Sequence, residues 1–165
     1  MLNLEKKPEP SVRNMHKNSY YCGILKNLYA GSEGECAIFL QFSYQKYILN
    51  DFNYDLSNLL EEIRINDLNH QKMLSNAILM TGGDPVFANA QNVWLRTNQI
   101  DYVKDINQIL SYDIELKEKI IIDYKLAISK IDNFEIKNML SFIAKEEENH
   151  LKKLKIEFEK LNKNF

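Results

Sequence analysis

The stretch EEIRINDLNHQKMLSNAIL, residues 61–79, decides how this chain folds. Alternating steps of three and four residues trace the face that a bundle helix buries. Here that walk runs Leu56, Leu60, Ile63, Asp67, His70, Leu74, so an acid and an imidazole stand where the spacing calls for Leu or Ile. A second segment, LSFIAKEEENHLKKL (140–154), repeats the pattern: Ile136, Leu140, Ile143, Glu147, His150, Leu154. Residues three apart share a helix face, so each pair can reach one ion or two adjacent ions. An unpaired carboxylate in a dry core costs many kcal/mol and instead takes up a proton or finds a cation.

Working outward, five glycines and three prolines punctuate 165 residues, and no two-residue alternation persists. The class is therefore all-α. A polar N-terminal arm (1–18) leads to the short helical piece YYCGILKNLYA, which breaks near Gly31. The first long helix is expected at about 32–50, with Ser32 and Glu35 fitting an S-x-x-E start. The second is expected at about 54–81, stopped by TGGDP (81–85). Some twenty residues (82–103), carrying the single Trp94, are too many for a hairpin and are expected to cross the bundle. The third helix is placed at about 104–130 and the fourth at about 133–162, capped at Asp132 or Asn133. The bundle as a whole is assigned to 19–163, antiparallel, with a long crossover between its second and third helices.

The first long helix buries Glu35, Ile38, Phe42, Gln45 and Leu49 on the same walk; the third buries Leu110, Ile114, Lys117, Ile121, Tyr124 and Ile128. Glu35, Asp67, His70, Glu147 and His150 thus converge on one interior. A divalent metal is the simplest shared partner, since carboxylate oxygen and imidazole nitrogen suit iron, manganese or zinc. Glu35 has a second reading as the capping partner of Ser32, and Glu146 and Glu148 read as solvated.

Composition limits the alternatives. A formal charge of −2 gives no electrostatic case for nucleic acid or an anionic membrane. No segment reads as a signal peptide or a bilayer span. Cys22 and Cys36 form no C-x-x-C pair and read as free thiols of a cytoplasmic protein.

With these residues in place, the chain resembles the ferritin-like superfamily, on its rubrerythrin and manganese-catalase side, where both metal helices carry Glu-x-x-His. The resemblance spans about 18–155 and includes YAGSEGECAI (29–38), TGGDP, NVWLRTNQIDY (92–102) and DIELKEKIIIDY (113–124). It implies that Glu35, His70, Glu147 and His150 are metal ligands. It also marks two departures: Asp67 stands where the family has Glu, and Lys117 stands where it has the third helix's Glu. Glu118 would take that place only if the helix turned by about 100°. Its neighbours seven residues away, Ser111 and Lys125, are polar, so Lys117 is assigned to the core.

Three carboxylates (Glu35, Asp67, Glu147) against one ammonium leave two negative charges. One divalent ion neutralises them, and so do two protonated histidines with no metal. Two divalent ions would leave excess positive charge in a dry core. The resemblance implies an oxidoreductase using peroxide or dioxygen at iron or manganese; the charge count favours one ion rather than two, or an empty site tied by Lys117. Tyr124 would support the ligands, and Lys117 would act as a fixed charge or proton donor toward the oxidant. An external electron donor would be needed for any reductase activity. A homodimer is expected through the aromatic first helix (Phe39, Tyr44, Tyr47). The alternative is a metal-poor bundle with a structural or interaction role.

Overall fold

The computed structural model describes residues 9–13 and 15–163; part of the expected arm (1–8 and 14) lies outside the described residues. A short helix α1 (Ser19–Ala30) precedes α2 (Glu35–Leu49) and α3 (Tyr54–Met80), and the crossover then leads to α4 (Ile106–Lys130) and α5 (Phe134–Lys163). Helices α2 and α3 pack as one antiparallel pair, α4 and α5 as the other, and α1 lies across α2, α3 and α4. Among the described residues there is no strand, only an isolated bridge between Ala88 and Trp94 in the crossover. No helix of the described residues is long and apolar enough to cross a membrane.

The helix ends follow local chemistry. Asn18, Asn53, Asp105 and Asn133 each accept a backbone N–H three residues on, satisfying donors the first turn leaves free. At the far end of α3, Gly82 takes φ 88°. Its N–H reaches Leu79 O, while that of Gly83 reaches Ile78 O. This is a Schellman ending, which favours glycine because the left-handed conformation penalises a Cβ.

The start of α2 differs from the S-x-x-E expectation. Gly34, not Ser32, is the cap residue, and no side chain caps the helix. Gly34 lies so close to the end of α1 that a Cβ there would come within 2.8 Å of Leu28 O. Glu35 is therefore the first helical residue, and its carboxylate turns inward.

The buried stripes on α2, α3 and α5 agree residue for residue with the three-four walk. On α4, Leu110, Lys117, Ile121 and Tyr124 are buried, but Ile114 and Ile128 are only half-buried, and Asp113 takes the interior place expected for Ile114. Two of the three aromatics expected at a dimer surface are engaged within the chain. Phe39 lies beneath the Arg64 guanidinium, and Tyr44 packs edge-on against Tyr102. Tyr47 is exposed.

The crossover is held by a buried side chain. Gln41 donates Nε2–H to Asp101 O at 2.8 Å and accepts Asp101 N–H at 2.7 Å, imitating a strand partner from the flank of α2. Replacing Gln41 with Leu leaves both backbone groups unpaired, at about 1–3 kcal/mol. Chemical denaturation is expected to show that loss, and amide exchange at Asp101 should accelerate selectively.

Candidate metal centre

Each long helix sends ionisable or polar groups to one layer of the core. The first turn of α2 supplies Glu35; α3 supplies Asp67 and His70; α4 supplies Lys117 and Tyr124; α5 supplies Glu147 and His150. All seven are buried. Glu118 instead pairs with Lys155 on the exposed surface, at 2.6 Å.

The Lys117 ammonium is the hub. It donates to both Asp67 oxygens, at 3.0 Å each, and lies 2.6 Å from Glu147 Oε2. The Phe42 ring lies beneath it, 5.1 Å from Nζ to centroid. Burial works against its charge, but Asp67, Glu147 and Glu35 outweigh burial and hold the ammonium above the ordinary lysine range. Tyr124 donates its hydroxyl to Glu35 Oε1 at 2.6 Å.

Both imidazoles aim Nδ1 at the carboxylates. His70 Nδ1 lies 3.0 Å from Glu147 Oε1, 3.5 Å from Glu35 Oε1 and 3.7 Å from Asp67 Oδ1. His150 Nδ1 lies 3.3 Å from Glu147 Oε1 and 3.5 Å from Asp67 Oδ1. The outer nitrogens are held reciprocally. His70 Nε2 meets Glu146 Oε2 of α5 at 2.8 Å, and His150 Nε2 meets the Asn66 amide of α3 at 3.3 Å.

Glu146 and Asn66 are not among the expected site residues, and Glu146, expected to be solvated, has a side chain only 35% exposed. A signal was present in the sequence. NDLNH (66–70) and EEENH (146–150) share a polar residue, an acid, a spacer and Asn-His. In each, the residue before the acid reaches the other helix's histidine.

The two halves of the layer differ in charge. For His70, burial opposes protonation, but Glu35, Glu146 and Glu147 outweigh it and push the imidazole well above its ordinary value. His150 is lowered, chiefly by burial, with Lys117 and His70 acting in the same direction against Glu147. Burial lifts the Asp67 carboxyl well above the usual range despite Lys117. Burial acts the same way on Glu147, but Lys117 and the two imidazoles outweigh it and hold this carboxylate well below. The shifts of the two carboxylates around one ammonium thus run in opposite directions. Cys36 lies off this layer beside Tyr29, and burial pushes its thiol up to about 12, far from a reactive thiolate.

The donor set suits a cation on one side. Ligand atoms of Glu35, Asp67, His70 and Glu147 all lie within 4.8 Å of one another. Glu35 Oε2, His70 Nδ1 and Glu147 Oε1 have no aligned hydrogen-bond partner, and buried polar atoms rarely go unpaired. Mixed carboxylate and imidazole donors suit iron, manganese or zinc. On the His150 side, the ammonium of Lys117 fills the space between Asp67 and Glu147.

No family model matches the chain, and no curated protein matches it. Solved structures do. A manganese catalase from Anabaena superposes with a TM-score of 0.87 at 18% identity, covering 98% of this chain and 81% of the other. The bacterioferritin of Desulfovibrio desulfuricans gives 0.74 at 17% identity, covering 90% and 86%. That of Mycobacterium tuberculosis gives 0.75 at 15%, covering 90% of each chain. At these identities the likeness establishes the architecture: the chain has the ferritin-like four-helix fold.

Proposed function

We propose that this chain is a ferritin-like oxidoreductase that binds one iron or manganese ion at Glu35, Asp67, His70 and Glu147 and acts on peroxide or dioxygen. The observation that carries the reading is the Lys117 ammonium, seated between Asp67 and Glu147 in the place of a second cation. With one divalent ion, three carboxylates and one ammonium sum to zero charge, the state a dry core tolerates best. When bound, such an ion supplies a redox couple with open positions for a small oxidant.

The remaining roles belong to the chain. Tyr124 fixes the orientation of Glu35 through a 2.6 Å hydrogen bond. Glu146 accepts from Nε2 of His70, the arrangement that frees Nδ1 to act as a ligand. His150, biased toward the neutral ring by burial, meets the Asn66 amide N–H at Nε2 and turns Nδ1 toward Asp67 and Glu147. Lys117 is a fixed positive charge toward an approaching oxidant. Reductase turnover would draw on an external electron donor. The free thiols of Cys22 and Cys36 accord with the cytoplasm. A homodimer through exposed Leu40, Tyr47, Ile65 and Leu68 completes the reading.

A metal-free structural bundle is the second reading, because the same ammonium satisfies Asp67 and Glu147 without any ion. Elemental analysis separates the two. Protein from metal-replete growth, purified without chelator, is expected to carry about one iron or manganese per chain; none at all would leave only the structural reading. Lys117→Glu is expected to raise the content toward two. In the metal-free protein, Lys117→Ala strips the cation from two buried acids and is expected to lower stability by about 3–5 kcal/mol in denaturant melts.

Metal uptake must also displace protons, since His70 and Asp67 are both biased toward their protonated forms. Apparent affinity is therefore expected to rise with pH, by about tenfold per unit for each proton displaced. Calorimetry in buffers of different ionisation enthalpy counts the protons released.

A further inference from the structure

One helical turn before Lys117, Asp113 is fully buried against Gln45 of α2, which is itself 1% exposed. Gln45 donates Nε2–H to Asp113 Oδ1 at 2.8 Å. The two remaining oxygens, Asp113 Oδ2 and Gln45 Oε1, are both buried and both without a partner. With a charged carboxylate, both are acceptors and neither can satisfy the other. Turning the amide over would only place oxygen against oxygen at the good contact. A single proton on Oδ2 supplies the missing donor, and two planar groups already joined by one bond can then close a second.

We propose that Asp113 is held as the neutral acid in a two-bond ring with Gln45, and that this neutrality positions Lys117 by leaving its ammonium to Asp67 and Glu147. Residues four apart on a helix are neighbours, so an ionised Asp113 would compete for that ammonium from its own helix. It would also add a negative charge to the interior and undo the balance that admits one divalent ion. In this last respect the inference rests on the single-ion reading; the ring itself does not.

The surroundings agree. Burial, against the opposing pull of the Gln45 amide and of Lys117, lifts the Asp113 carboxyl to about 8, with Asp101 of the crossover pushing the same way as burial. The facing helix α2 contributes the uncharged Gln45. An acid whose value rises on folding binds its proton more tightly in the native state. Stability therefore falls as pH rises from about 4 to about 8, then levels off.

The test uses the full-length, metal-free protein with carbon-13 in its aspartate carboxyls. One signal, identified by its absence in Asp113→Asn, is expected to remain that of a neutral acid at pH 6 and to titrate near 8. A signal already ionised at pH 6 overturns the proposal, and this readout needs only the wild type to fold. Asp113→Asn is expected to flatten the decline in Tm between about pH 4 and about pH 8, leaving the share that Asp67 and His70 contribute; an unchanged decline counts against the ring. For positioning, the nitrogen-15 resonance of Lys117 Nζ is expected to shift as Asp113 ionises in the wild type and to stay still in Asp113→Asn. A resonance indifferent to Asp113 in both proteins refutes the positioning role. Because no metal is present, failure here is distinct from failure of metal binding.

Discussion

A lysine ammonium with no access to water binds two acids from two other helices, and the interior is organised around that contact. Removing such a charge from water costs several kcal/mol, repaid only by close opposite charges and aligned donors. Lys117 has both: two 3.0 Å bonds to Asp67 and a 2.6 Å approach to Glu147, with an aromatic face beneath. Because Asp67, Lys117 and Glu147 lie on α3, α4 and α5, the contact ties the two helix pairs together across the core. Slipping any one helix by a residue would strand a charge where water cannot reach it, so the register of the bundle is set here as much as by apolar packing.

The layer is symmetric in its scaffold and asymmetric in its charge. Asn66 and Glu146 each hold the outer nitrogen of the opposite histidine, and the two imidazoles face one another with ring centroids 5.9 Å apart. Two positive rings at that distance in a dry interior would repel strongly. A carboxylate beside His70 and an amide beside His150 break the tie, since only the carboxylate stabilises an imidazolium. Lys117 discourages a proton on His150 further. The positive charge therefore falls to His70, on the side where Glu35 stands, while His150 stays neutral on the side where the ammonium already stands.

How much of this was legible in the sequence depended on periodicity. On α2, α3 and α5, apolar residues at helical spacing framed the polar ones, so Glu35, Asp67, His70, Glu147 and His150 could be placed on interior faces from spacing alone. On α4 the frame was ambiguous, because DIELKEKIIIDY offers apolar residues on adjacent faces. The walk through Ile114 passes over Asp113, whose core partner, Gln45, lies 68 residues away and leaves no local signal. Glu146 was missed for a related reason. A half-exposed carboxylate looks like a solvated one until the histidine it touches, 76 residues distant, is brought to it. The capping role given to Ser32 failed because Gly34 lies in a turn set by the end of α1, a packing fact with no local signature.

Asp67 and Lys117, the two departures that the resemblance marks, form a single contact in the structure. A lysine reaches one bond further than a glutamate, carrying its nitrogen past the position where a carboxylate oxygen would stop. An aspartate stops one carbon short of a glutamate, which leaves room on the opposite helix. In the structure the long side chain meets the short one head-on, with Nζ equidistant from both Asp67 oxygens at 3.0 Å. A glutamate at 67 facing Lys117 would crowd the ammonium, and an aspartate at 67 facing a glutamate at 117 would leave two acids with a gap between them. Either substitution alone would disturb the layer. In this arrangement the ammonium satisfies Asp67 and Glu147 from within the chain, while Glu35 Oε2 and His70 Nδ1 keep no hydrogen-bond partner.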